Sequence, residues 1–191
     1  MRLFVAITLP DAVQRTIFAA ARPLHRLAPE IRWVGPDALH ITMKFLGEVS
    51  EERVPALHAA LQAAAPATAA FTLVLGGIGG FPNLRRPRVL WLGVKNGTGL
   101  RRLHAALERE LFALGYPLET RPYAPHVTIG RVGPDRSTAR LAQVERAAAE
   151  VKYDAMVDVR SLELMRSRLS PQGARYEVVA SAPLHEVTGD E

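Results

Sequence analysis

Apolar positions along the chain fall into short alternating runs separated by stretches with a three-to-four-residue repeat, which is the pattern of strands interleaved with amphipathic helices. Residues 2–9 alternate and predict a first strand, after which Pro10 and Asp11 open a helix running to about Leu27. Residues 31–49 read as extended structure, interrupted near Gly35 and Pro36. Ser50 stands where it would cap a second helix, with Glu51 and Glu52 in the first turn and an end near Ala65 and Pro66. Two β-rich runs, 71–75 and 89–94, flank GGIGGFPNLRRPR, whose glycines, prolines and arginines predict an exposed basic loop. A third helix over 99–114 is closed by Gly115, and 126–132 is another strand. A fourth helix over 137–150 precedes strands at 157–166 and 176–182, joined by a turn at SPQG.

A strand, a helix, a strand and a helix thus occur in the first part of the chain, and a comparable set recurs in the second. The expected fold is α+β: two pseudo-symmetric lobes with antiparallel sheets lining a central cleft and helices on the outside. All of residues 1–191 form one bilobal domain on this reading.

Composition narrows the picture. At 191 residues and 48% hydrophobic content the chain can bury one substantial core, and 23% charged residues argue against wholesale disorder beyond the last few positions. Cysteine is absent, which excludes disulfides, thiolate metal sites and a cysteine nucleophile. The first ten residues, MRLFVAITLP, lack the features of a secretion signal, and no run approaches the roughly 20 apolar residues of a membrane helix, so a cytoplasmic protein is expected. The net charge is +5, with arginine far outnumbering lysine. That balance suits a polyanionic partner such as RNA, although an arginine-rich genome would produce the same bias.

Two segments share a pattern that bears on chemistry: HITMKFLG from His40 and HVTIGR from His126. In an extended strand side chains alternate, so His40 and Thr42 face one way while Ile41, Met43 and Phe45 face the other. The same parity sets His126 and Thr128 against Val127 and Ile129. One His-x-Thr carries little information; two in separate strands with matching apolar flanks allow four polar groups to converge. Such a set suits phosphodiester cleavage: one imidazole takes a proton from attacking water, the other gives one to the departing alkoxide, and the threonine hydroxyls donate to the non-bridging oxygens. Arg131, at the end of the second motif, is a candidate substrate-binding cation that could balance phosphate charge, although strict alternation turns it away from the cleft unless Gly130 permits a bulge; the same alternation keeps Phe45 in the core and puts Lys44 on the side of His40, where it either reaches phosphate or stays in solvent. Arg85, Arg86 and Arg88 are candidates to steer a nucleic-acid backbone. His25, His58, His104 and His185 lack the accompanying threonine and read as structural or surface residues. No HExxH, His-x-His, Walker loop or GxGxxG occurs, so neither a metal nor a nucleotide cofactor is expected.

Those two motifs, with RLFVAI at the N-terminus, Arg32-Trp33-Val34, Tyr123-Ala124-Pro125, and Ser167-x-Leu169 followed by Gly173 and Tyr176, resemble the two-histidine phosphoesterase superfamily over nearly the whole chain. The likeness is greatest to the LigT-like RNA 2′,3′-cyclic phosphodiesterases, also called 2′,5′ RNA ligases. The resemblance implies hydrolysis of a 2′,3′-cyclic phosphate to a 2′-phosphomonoester, with His40 as proton donor, His126 as proton acceptor, and Thr42 and Thr128 as phosphate ligands. It makes an RNA with a cyclic-phosphate end, tRNA fragments among them, the expected partner of a monomeric enzyme. Ligation through a 2′,5′ linkage, a smaller cyclic nucleotide as substrate and a non-catalytic RNA-binding module are the alternatives.

Overall fold

A computed structural model describes residues 1–133, 138–170 and 173–186. Strand β1 (Arg2–Thr8) is followed by helices α1 (Asp11–Ala20) and α2 (Arg22–Leu27). The expected single helix divides because Pro23, in the first turn of α2, has no N–H to offer the turn before it. Strand β2 (Arg32–Trp33), a 3₁₀ turn (Pro36–Ala38) and β3 (His40–Glu48) make up the extended stretch, broken where Gly35 and Pro36 predict. Ser50 makes no side-chain cap; a 3₁₀ turn (Glu51–Arg53) intervenes before α3 (Val54–Ala64), which carries Pro55 in its first turn.

The glycine-rich segment departs from expectation. Strand β4 (Phe71–Phe81) runs through GGIGGF, and only residues 82–88 form the loop before β5 (Val89–Val94). Here glycine supplies space: a Cβ on Gly79 would stand 2.2 Å from the ring of Trp91, its partner on β5. Gly77, at φ +78°, lies within the register shift of the same pair. Helix α4 (Thr98–Ala113) ends just before Gly115, whose φ of +89° stops it as predicted. Strand β6 (His126–Arg131) and helix α5 (Thr138–Glu150) follow. The single strand expected over 157–166 is two, β7 (Asp154–Val159) and β8 (Ser161–Ser170), which separate at Arg160 and join opposite halves of the sheet; β9 (Gly173–Pro183) pairs with β8. The helix start expected at Ser137, the centre of the SPQG turn and the last few residues lie outside the described residues.

Neighbouring strands run antiparallel in the order β7-β4-β5-β6-β3-β1-β8-β9, with β2 on the edge of β6. The two expected sheets are therefore halves of one sheet, joined where Ile41 of β3 pairs with Val127 of β6. The repeated unit is β1, α1 and α2, β3, α3 in one half and β5, α4, β6, α5 in the other. Helices cover one face. There Leu3, Val5 and Ile7 of β1 join Leu24, Leu57, Leu61, Leu103 and Leu107 in the main core, each fully buried side chain contributing about 1.5–3 kcal/mol. On the opposite face Phe4, Ala6 and Met165 form a separate small cluster with Tyr176. No helix among the described residues is long and apolar enough to cross a membrane.

Both histidine strands carry a bulge three residues after the histidine. On β3, Thr42 pairs with Ala6 but Lys44 pairs with Val5, leaving Met43 extra; on β6, Thr128 pairs with Trp91 but Gly130 pairs with Leu90, leaving Ile129 extra. A bulge reverses parity beyond it. Lys44 consequently turns to the helix side, where its ammonium donates to Glu108 of α4 and to the Pro117 carbonyl. It neither reaches the cleft nor stays in solvent. Phe45, opposite Phe4, turns out of the core onto the cleft face and is 66% exposed.

Two stability predictions follow from these contacts. Gly79→Ala should lower the denaturant midpoint by an amount corresponding to about 1–3 kcal/mol, because Trp91 must leave its place to admit the methyl group. Glu108→Ala should cost about 3–5 kcal/mol in the same measurement, since it strands the Lys44 ammonium in a site where both side chains are only 10% exposed; an unchanged midpoint would show the pair to be dispensable.

Candidate active site

The register at Ile41 and Val127 sets the site. Continued one residue each way, antiparallel pairing brings Thr42 opposite His126 and His40 opposite Thr128. Ile41 and Val127 are both fully buried in the helix-side core, so the four polar side chains share the other face. His40 and His126 are diagonal neighbours across the joint, which ordinary pairing geometry sets about 7–8 Å apart, their Cβ atoms somewhat closer.

Each ring is oriented by the backbone that leads into its strand. His40 Nδ1 lies 2.9 Å from the Ala38 carbonyl and His126 Nδ1 lies 2.7 Å from the Ala124 carbonyl. A carbonyl only accepts, so both Nδ1 atoms carry the proton and both Nε2 atoms are left for chemistry. Thr42 Oγ1 stands 3.1 Å from His40 Nε2 and donates to it while the ring is neutral. Aromatic side chains wall both rings in the same way: Tyr176 meets His40, and Phe81 meets His126, edge-on at 5.0 Å and 82°. Phe4 lies 4.9 Å from His40, and Trp91 6.4 Å from His126. Low aromatic content thus conceals a cleft face on which Phe4, Phe45, Phe81, Trp91 and Tyr176 are gathered.

Arg131 is on this face as well. Phe81, Val89 and Arg131 are successive partners across β4, β5 and β6, and directly paired residues share a face, so the residue follows Phe81 to the side of His126. The Ile129 bulge reverses the parity that otherwise turns it away. Burial among the aromatics pulls the His40 pKa below its ordinary 6.5, and the charge of Arg131, then that of His126, lowers it further against the opposing Ala38 carbonyl. Burial likewise lowers His126, with Arg131 adding to the effect. Both imidazoles are therefore neutral in the free protein near pH 7.

The two motifs are coupled beneath the face. Tyr123, three residues before His126, donates from its hydroxyl to the Thr42 carbonyl at 3.1 Å, and burial keeps this phenol protonated by raising its pKa. His104 of α4 stacks on Tyr123 at 4.0 Å, nearly parallel. His25 packs between Phe18 and Trp33, His58 contacts the Ser181 carbonyl, and His185 forms a bridge with Ala69, so none of these four enters the cleft. Arg85, Arg86 and Arg88 are exposed in the loop 82–88, Arg85 3.7 Å from Glu145. The carbonyls of Ala38 and Ala124 and the contacts of Tyr176, Phe81 and Tyr123 have no signal in the sequence beyond their nearness to the motifs or their place in the family pattern.

Comparison with known proteins places the chain in a family. The chain is 31% identical over 176 residues to an RNA 2′,3′-cyclic phosphodiesterase of Methanothermobacter thermautotrophicus, a match spanning 92% of this chain and 95% of the relative. Its identity to the RNA 2′,3′-cyclic phosphodiesterase of Archaeoglobus fulgidus is 33%, over 93% of this chain and 97% of that one. The crystal structure of E. coli LigT complexed with 3′-AMP superposes with a TM-score of 0.74 at 28% identity, covering 96% of this chain and 97% of LigT. Residues 9–170 match the family profile of the 2′-5′ RNA ligase superfamily, and the chain belongs to that superfamily.

Proposed function

We propose that this protein hydrolyses RNA 2′,3′-cyclic phosphate ends to 2′-phosphomonoesters, with His40 and His126 as general acid and base and no metal ion. The carrying observation is the matched presentation of two imidazoles, each held through Nδ1 by a backbone carbonyl, from adjacent antiparallel strands that each bear a threonine two residues on. Several relatives that share about 30% identity over most of the chain bear the name of this activity. The crystal complexes of LigT with 3′-AMP and with phosphate are in keeping with a site for a nucleotide phosphate.

In this reading His126 Nε2 removes a proton from water as its oxygen attacks phosphorus, the bond from phosphorus to O3′ breaks, and His40 Nε2 gives its proton to O3′. The 2′-phosphomonoester and a 3′-hydroxyl result. Thr42 and Thr128 donate to the non-bridging oxygens as charge builds there, and Arg131, farther along the same face, helps to hold the substrate. The assignment of donor to His40 and acceptor to His126 follows the family resemblance. The whole chain acts as one bilobal unit, as a cytoplasmic monomer, on RNA ends that include tRNA fragments. The superfamily's description favours a second activity at the same site, in which a 5′-hydroxyl replaces water and a 2′,5′ linkage forms; water in excess makes hydrolysis the main outcome.

A short RNA ending in a 2′,3′-cyclic phosphate should yield the 2′-phosphomonoester, and His40→Ala or His126→Ala should each lower kcat by about 10²–10⁴-fold while RNA binding persists. A substrate with sulfur in place of O3′ needs no proton donor, so it should rescue His40→Ala and not His126→Ala. A 3′-phosphate product, or full turnover by either variant, would refute the reading.

The pH dependence should carry the sign of the pKa shifts. Because both imidazoles sit below 6.5 in the free protein, the bell of kcat/KM should lie on the acid side of an ordinary histidine. A bound phosphate anion raises the pKa of the protonated donor, so the alkaline limb of kcat should lie at higher pH than that of kcat/KM. Coincident alkaline limbs would show that the phosphate does not reach the donor.

A further inference from the structure

Arg131 has a companion. Strand β2 pairs with β6 so that Arg32 stands directly opposite Arg131, and Trp33 opposite Gly130. Trp33 packs over Gly130 on the helix side, where a Cβ on that glycine would come within 2.9 Å of the ring, so Arg32 takes the other face with Arg131. Both arginines are exposed. Among the described residues neither has a carboxylate partner, a condition they share with most of the arginines; what sets this pair apart is that the two stand directly opposite each other on the cleft face. Two like charges directly opposite in a sheet destabilise it unless an anion lies between them. A pair of guanidiniums is also the donor arrangement that phosphate oxygens accept most strongly.

The pair lies one step beyond the catalytic row. Arg131 is the next residue after Thr128 on the cleft face, about 6–7 Å along the strand. If the proposed function holds, the imidazoles attend the attacking water and the leaving O3′, and the threonines attend the non-bridging oxygens of the cyclic phosphate. The guanidinium pair then faces a second anion, and in an RNA chain the neighbouring anion is the phosphodiester attached to O5′ of the terminal nucleotide. Resting on that reading, we propose that Arg32 together with Arg131 forms a subsite for this upstream phosphodiester, so that the enzyme recognises the end of a chain rather than an isolated nucleoside cyclic phosphate.

The test uses two dinucleotides ending in a 2′,3′-cyclic phosphate, identical except that one has a phosphodiester linkage and the other an uncharged methylphosphonate. The wild-type protein should favour the charged linkage in kcat/KM by about tenfold or more, the size of a charge-assisted contact. Arg32→Gln should bring that ratio close to one, and Arg32→Lys should retain part of it. Turnover of the methylphosphonate dinucleotide by each variant reports that it is folded. Equal wild-type rates on the two linkages, or a ratio that survives in Arg32→Gln, would overturn the subsite alone. So would a variant that loses rate equally on both, since Arg32 would then serve the cyclic phosphate or the fold. Absence of wild-type turnover on both dinucleotides would overturn the phosphodiesterase reading and the subsite with it.

Discussion

The pairing of Ile41 with Val127 is the contact on which the rest of the molecule turns. It is the described point at which the two half-sheets exchange a register, and both side chains are fully buried against the helix layer. Their burial fixes the polar groups as surely as any direct contact: with one apolar residue of each strand committed to the core, the residues on either side of it must face the cleft. A slip of one position would send both imidazoles into an apolar interior and both aliphatic residues into water, a change that several kcal/mol of lost burial oppose. The geometry of the candidate site is thus held by hydrophobic packing on the face opposite to the chemistry.

Electrostatics complete what packing begins. Aromatic walls desolvate both rings, carbonyl acceptors at Ala38 and Ala124 fix their tautomers, and the Arg131 charge leans on both. Without an anion, burial and the Arg131 charge outweigh the two carbonyls and hold both pKa values below the ordinary one. On the proposed reading a phosphate brings the negative charge that makes protonation of one ring favourable, so the protein is poised for acid catalysis only when substrate is in place.

Much of the fold was legible because burial imposes periodicity. The pairing of each histidine with a threonine, the helix stop at Gly115 and the repeated strand and helix order all rest on alternation or on local backbone chemistry. What alternation cannot express is a bulge. Met43 and Ile129 are apolar residues in apolar positions, so nothing in the sequence says that each is an extra residue, and alternation alone misplaces or leaves open the faces of Lys44, Phe45 and Arg131 beyond them. The glycines of β4 read as breakers because the property that matters, room for Trp91, belongs to a different strand. The division of 157–166 at Arg160 escaped for a similar reason: two successive strands with like composition go to opposite halves of the sheet, and only long-range pairing tells them apart.

The two bulges also decide how a nearly symmetric centre acquires direction. Histidine, threonine and bulge recur at the same offsets in both motifs, and a pair of such sets related by a pseudo-twofold cannot by itself distinguish the two ring oxygens of a cyclic phosphate. Beyond the bulge the symmetry ends. One strand presents Phe45, exposed and set against Phe4; the other presents Arg131, set against Arg32. On the proposed reading, an end that offers an aromatic surface and an end that offers two guanidiniums would not bind a nucleotide equally well in both orientations, since a base prefers the first and phosphate the second. Holding the substrate one way round assigns O3′ to one imidazole and the attacking water to the other. On the proposed reading, residues five positions past each histidine would thus add direction to a centre whose two histidine motifs are closely matched.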